Sequence, residues 1–190
     1  IDQKKDLIYA KIDRKKKILG TIFLRALGYS TREEIIKCFY QTEKISVDHS
    51  VEGKEQLIGR VLAEAVLIKD EDGEEKKLFR AGDKLQSHNI DELIENNITE
   101  LTVIQFDTRK NKSQSSTEKN LSLDSQMIIN CFEREEVRFK KEGFESDEPT
   151  KEEALSAVYS VLMPGEPITV ENAEKDLTSM FFSLRRYDLG

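Results

Sequence analysis

Tryptophan is absent from the 190 residues, proline occurs three times, and cysteine and histidine occur twice each. No apolar run approaches the roughly 18 residues that a membrane-spanning helix needs, and no basic-then-apolar leader marks the chain for export, so a cytoplasmic location is expected. Cys38 and Cys131 stand far apart in sequence, which excludes a disulfide scaffold and fits a reducing compartment in which both read as plain core residues. His49 and His88 fall in different predicted elements, and neither is near a cysteine, so the close ligand pairs of a zinc site are missing. The acidic run Asp70, Glu71, Asp72, Glu74, Glu75 has no bidentate Glu closing a calcium loop and reads as a hairpin turn. There is no glycine-rich phosphate loop, no nucleophile elbow and no defensible Ser/His/Asp or Cys/His set. The sequence thus names no catalytic residue and no metal ligand.

What the chain does have is charge, unevenly placed. It carries 30 Lys+Arg against 37 Asp+Glu, a formal net charge of −7. Residues 1–30 hold eight Lys/Arg and three Asp, or +5, leaving −12 on the other 160. A basic end on an acidic body is expected where one face meets a polyanion. A solvated turn whose lysines do nothing specific is the plainer alternative. Aromatics beside cations are the companion signal for nucleic acid. Tyr9 near Lys11 and Tyr187 beside Arg186 supply it only weakly, and a structural tyrosine is the default.

Periodicity organises the rest. Leu7 to Ile12 reads as a strand followed by the polar loop Asp13-Arg14-Lys15-Lys16. Ile18, Leu19, Ile22, Phe23, Ala26 and Leu27 form a helical stripe stopped at Gly28. Ser30 and Thr31 precede Glu33 and Glu34 as a double capping-box signature for a helix burying Ile35, Ile36, Phe39 and Tyr40. After Lys44 the period becomes two, with Ile45, Val47, His49 and Val51 on one face. Leu57 to Ile68 reads as a buried strand broken by Gly59, returning through an Asp-Gly turn to Lys77–Phe79. Asn89 caps a short helix with Ile90, Leu93 and Ile94 inward, and Leu101–Phe106 closes the module as a strand. Residues 107–120 contain no apolar side chain and read as a flexible linker. Helical spacing returns at Leu123, Met127, Ile128, Cys131 and Phe132. Thr150 and Glu153 box a helix that ends at Pro164-Gly165-Glu166-Pro167, and a last helix runs from about Val170 to Ser183. The expected fold class is α+β: a helical domain built from 1–44 and 121–190, interrupted by a small β-rich insertion module at 45–106 and the linker.

Two stretches go beyond physical reading. Lys11–Thr31, KIDRKKKILGTIFLRALGYST, resembles the segment I-D-R-x-R-K-x-x-x-T-x-x-L-R-A-L-G of the β subunit of bacterial DNA-directed RNA polymerase. Met163–Gly190, MPGEPITVENAEKDLTSMFFSLRRYDLG, resembles that subunit's R-P-G-E-P-x-T…F-F-x-x-x-R-Y-D-L, in the same order. The resemblance implies the distal part of the β lobe, an α+β domain forming one wall of the cleft that holds downstream duplex DNA and the separated strands. Lineage-specific insertions fall between the two motifs in that family, where this chain places its β-rich module. It implies a non-catalytic piece of a nucleotidyltransferase whose Mg²⁺ is held by aspartates of the β′ subunit, with β′, α and σ subunits and DNA as partners.

For Asp13, Arg14, Lys15, Lys16 and Lys17 the resemblance implies a loop facing the DNA channel. There the cations would neutralise phosphates without reading bases. Asp13 either orients Arg14 or accepts from an exocyclic base amine. Lysines stand where the family usually has more arginines, and they bind phosphate as point charges rather than forks. Met163 replaces the family's Arg before Pro-Gly-Glu-Pro and is expected to pack as the last buried position of its helix. Arg185 and Arg186 either cap a helix end or touch DNA. The acidic insertion is a second candidate surface, for a protein that regulates the polymerase. The start at Ile1 rather than Met fits a piece of a longer protein.

Overall fold

The computed structural model describes residues 7–11, 16–48, 50–70, 73–105, 118–141, 148–167 and 169–182, with only the backbone described at 118–125, 176 and 180–182. The fold is α+β. In chain order the elements are β1 (Tyr9–Lys11), β2 (Lys17–Leu19), α1 (Gly20–Ala26), α2 (Arg32–Phe39), β3 (Thr42–Ser46), α3 (Val51–Leu57) and β4 (Val66–Lys69). There follow β5 (Glu75–Phe79), α4 (Ser87–Glu95), β6 (Glu100–Ile104), α5 (Glu118–Lys141), α6 (Lys151–Leu162) and α7 (Val170–Phe182). Among the described residues the strands form three two-stranded antiparallel sheets, β1–β2, β3–β6 and β4–β5.

The chain divides into two compact units. The first takes residues 1–31 and 130–190, so both stretches quoted above lie in it. Its core joins Ile18, Ile22 and Ala26 to Ala154, Leu155, Val158 and Leu162 of α6, with Phe139, Cys131, Ala173 and Leu177. Each large aliphatic side chain buried this way contributes roughly 1.5–3 kcal/mol. Local signals set the helix ends. Past α1 the Tyr29 N–H reaches Leu24 O and the Gly28 N–H reaches Arg25 O, the paired bonds of a Schellman stop. Gly28 sits at φ 110°, where a side chain would be strained. At α6 the Thr150 hydroxyl accepts from the Glu153 N–H while Glu153 Oε2 accepts from the Thr150 N–H, a closed capping box.

The second unit spans residues 32–129. Its core is Val47, Leu57, Leu62, Val66, Phe79, Leu85, Ile90, Leu93, Leu101 and Val103. β3 pairs with β6 from Thr42↔Ile104 to Ser46↔Glu100, and Leu62 bridges to Val103. The end of α4 is a second Schellman stop, with Ile98 N–H on Leu93 O and Asn97 N–H on Ile94 O, and Asn97 takes the positive φ of 56°.

Several expectations fail for local reasons. Val51 opens α3 instead of extending a strand and is 75% exposed. The Ser50 hydroxyl accepts from the Gly53 N–H while Asp48 takes the Ser50 N–H and O–H, and this cap overrides the period-two pattern. The strand expected over Leu57–Ile68 is regular only from Val66. α3 ends at Leu57, Gly59 takes φ 83°, and Val61 and Leu62 make single bridges. Cys38 and Phe39 on α2 are exposed rather than core, because Ile35 and Ile36 alone occupy its buried side with Arg32. Asn89 stands inside the first turn of α4 and accepts from the Gln86 N–H. His49, and the expected linker through residue 117, lie outside the described residues, while residues 118–120 open α5.

Candidate nucleic-acid interface

The basic segment is carried by the β1–β2 hairpin. Its register pairs Tyr9 with Leu19, Ala10 with Ile18 and Lys11 with Lys17. Period-two alternation puts Tyr9 and Lys11 on one face with Lys17 across from them, and all three are exposed. The opposite face supplies Ile18, 1% exposed, to the core. Of the five cleft-facing candidates, Asp13, Arg14 and Lys15 lie outside the described residues, as do Arg185 and Arg186.

Lys16 and Lys17, adjacent in sequence, do different things. Lys16 Nζ donates to Leu162 O at 2.7 Å, so its cation caps the last turn of α6. A cation is favoured at a helix C-terminus because the final carbonyls have no intrahelical partners. Lys17 turns outward and holds Nζ 4.5 Å from the centroid of the Tyr9 ring. At an exposed site such a contact contributes about 0.5–1 kcal/mol. The aromatic partner expected for Tyr9 from sequence proximity was Lys11. Strand pairing brings Lys17 over the ring instead.

The hairpin is held at its base. Gly20 N–H donates to Ile8 O at 2.8 Å, and Ile8 N–H donates to Cys131 Sγ on α5 at 3.3 Å. Burial raises the Cys131 thiol to about 11, so it stays protonated and serves as a neutral packing partner. Arg25, fully buried on α1, donates from Nε to Glu135 Oε1 at 2.6 Å and from Nη1 to Ser30 O at 2.5 Å, with Glu148 Oε2 at 3.9 Å. Neither Arg25 nor Glu135 was a sequence candidate. Their positions on otherwise apolar helical stripes, beside Ile22 and Ala26 and beside Cys131 and Phe139, are the signal that could have found them.

The Pro-Gly-Glu-Pro stretch is tied to the same helix. Buried Tyr159 donates its hydroxyl to Glu166 Oε2 at 3.1 Å, and Gly165 turns the chain at φ 91°. Met163, expected to be buried, is 38% exposed, because α6 ends at Leu162 and the Met163 N–H closes back on Tyr159 O. Among the described residues no group of His, Cys, Asp and Glu could hold a metal ion, and no helix is long and apolar enough to cross a membrane.

Comparison with curated proteins matches all 190 residues to DNA-directed RNA polymerase subunit β. Identity is 56% with the subunit of Treponema denticola and 50% with that of Treponema pallidum. It is 46% over 191 aligned residues with that of Borrelia hermsii. The chain belongs to the bacterial RNA polymerase β-subunit family. It spans 15% of the length of each of these relatives and so corresponds to one segment of a β subunit. No protein-family model matches it. Within this β-subunit segment, the cationic hairpin and the Pro-Gly-Glu-Pro turn sit at opposite ends of the sequence and in one compact unit.

Proposed function

We propose that this segment is the distal β-lobe region of a bacterial DNA-directed RNA polymerase, a non-catalytic wall of the cleft that guides downstream DNA during transcription in the cytoplasm. In this reading residues 1–44 and 121–190 belong to the lobe body, and residues 45–106 are a lineage-specific insertion into it. Nucleotidyl transfer and its Mg²⁺ belong to the assembled enzyme with β′, α and σ subunits. This segment contributes position and charge.

The observation that carries the reading is the Lys16–Leu162 hydrogen bond, which fastens the cationic hairpin to the helix entering the Pro-Gly-Glu-Pro turn. Lys17, on a hairpin fastened to the α1–α6 core, would then present its cation along the channel. Each duplex phosphate so neutralised adds about 0.9 to the log–log salt slope of binding. The test is a gel shift of intact polymerase carrying Arg14→Ala, Lys15→Ala and Lys17→Ala together. Promoter complexes are expected to lose stability as salt is raised. Complexes as long-lived as those of the parent at every salt concentration would remove DNA guidance from this hairpin.

A further inference from the structure

The carboxyl end of α6 is tied down twice. Pro164 has no N–H with which to continue the helical ladder. The Glu166 amide stands four residues past Leu162 and would bond to its carbonyl if the helix went on, but it donates to Met163 O at 3.3 Å instead. That leaves room on the Leu162 carbonyl for a donor from elsewhere in the chain, and Lys16 Nζ supplies one at 2.7 Å. Ile18, two residues past Lys16, and Leu162 belong to one buried core, so the lysine reaches the carbonyl from a fixed base. The second tie comes from α6 itself, where buried Tyr159 donates its hydroxyl to Glu166 Oε2 at 3.1 Å. The turn is thus bracketed, its entry held through the Leu162 carbonyl and its exit through the Glu166 carboxylate, with Gly165 at φ 91° between them.

We propose that Lys16 is a positioning residue for the Pro-Gly-Glu-Pro turn and is not among the cations that meet nucleic acid. To reach a phosphate its ammonium would have to surrender a short, charge-assisted hydrogen bond together with a favourable place at the negative end of a twelve-residue helix. Lys17, the next residue, is exposed and holds only a cation–π contact, so it gives up far less. The basic segment therefore has two tasks. Lys16 sets where the turn sits, and Lys17 carries its charge outward. The choice of a lysine for the first task has a reason, since a neutral donor could fill the carbonyl but would add no charge opposite the helix dipole. The inference rests on the cleft-wall reading for the surface to which the turn belongs, and it adds the residue that fixes the turn.

The test is hydrogen–deuterium exchange of whole polymerase, read at peptides covering Met163 to Glu166 and, for reference, at peptides covering α1. Lys16→Met keeps the apolar stem and removes the donor, and Lys16→Gln is a milder variant whose shorter amide falls short of the carbonyl. In both, the Met163 and Glu166 amides are expected to exchange at least about tenfold faster, the low end for a hydrogen bond from a charged group, while α1 keeps the parent's rate. Lys16→Arg retains a cationic donor and should restore slow exchange. Lys17→Met should leave the turn as it is in the parent. A second arm follows promoter-complex lifetime against salt. Lys16→Met is expected to change the lifetime by one factor at every salt concentration, whereas loss of a duplex phosphate contact would lower the log–log slope by about 0.9. Parent-like exchange at the turn, acceleration spread through α1 in both neutral variants, or a lowered slope each overturns the proposal. Should the combined Arg14, Lys15 and Lys17 variant show no response to salt, the cleft-wall reading fails by itself, and exchange at the turn still decides what Lys16 does.

Discussion

Arg25 donates from Nε to Glu135 Oε1 at 2.6 Å, a pair buried to 0% and 2% exposure and joining residues 110 apart in the chain. Both charges are out of water, so their mutual attraction and the bond from Arg25 Nη1 to Ser30 O offset a large desolvation penalty.

Removing one member takes from the other, still charged and buried, its shortest ion-pair contact. Arg25→Met and Glu135→Leu singly are each expected to destabilise the chain by about 3–5 kcal/mol. The double variant should recover most of that loss, since apolar replacement of a whole buried pair is often near neutral, within about 1–4 kcal/mol of gain. Urea unfolding of the four proteins closes the cycle. Additive losses in the double variant would show that the two side chains do not act as a pair.

A more exposed pair should behave differently. Lys37 Nζ donates to Glu64 Oε1 at 2.7 Å with the side chains 53% and 43% exposed. That hydrogen bond is the main reason the Glu64 carboxyl lies below its ordinary 4.5 and the Lys37 ammonium above its ordinary 10.5. A lowered carboxyl stabilises above pH 4.5 and loses its contribution as pH falls through the folded value. A raised ammonium stabilises below 10.5 and loses its contribution as pH rises through the folded value. Glu64→Gln is therefore expected to destabilise by no more than about 1 kcal/mol near neutral pH, solvent screening having weakened the pair. The difference from the parent should fade on acidification below 4.5. A gap that widens in acid would contradict this sign.

The two thiols should separate cleanly by reactivity. Cys38 is exposed, while Cys131 is buried with its thiol pushed up to about 11, leaving roughly one in ten thousand as the reactive thiolate at neutral pH. Native protein treated with a disulfide reagent is expected to titrate one thiol rapidly and the second only on unfolding. Equal rates for the two would show that Ile8 and Cys131 are not packed as described.

Thr150→Ala opens the capping box of α6 and is expected to cost about 1 kcal/mol. For a chain of this size that lowers Tm by roughly 2–4 °C, while Thr150→Ser keeps the acceptor oxygen and should stay close to the parent. Calorimetry of the three proteins decides it.

The elements legible in the sequence are those whose chemistry is local. Gly28 as a stop, Thr150 with Glu153 as a start, and the turn at Gly165 each depend on backbone groups only a few residues away. A short-range competitor can override the periodic pattern. The Asp48–Ser50 cap turned Val51 from strand to helix, and α2 buried Ile35 and Ile36 without drawing Phe39 inward. Of the candidate interface, the basic segment was legible from composition, but the division of labour within it was not. Lys16 and Lys17 are the same residue type one position apart, yet Lys16, just before β2, reaches Leu162 O while Lys17 opens the strand opposite Lys11.

Sequence alone determined the kinship of the chain, its charge asymmetry, the stop of α1 and the start of α6, because each of these is written in residues close together or in long quoted matches. Tertiary structure alone decided that Lys16 caps a helix 146 residues away, that Arg25 finds Glu135, and that Lys11 must face Lys17. Those pairings exist only once the core has brought distant segments together. Their energies come from burial and distance, which no single stretch of the chain carries.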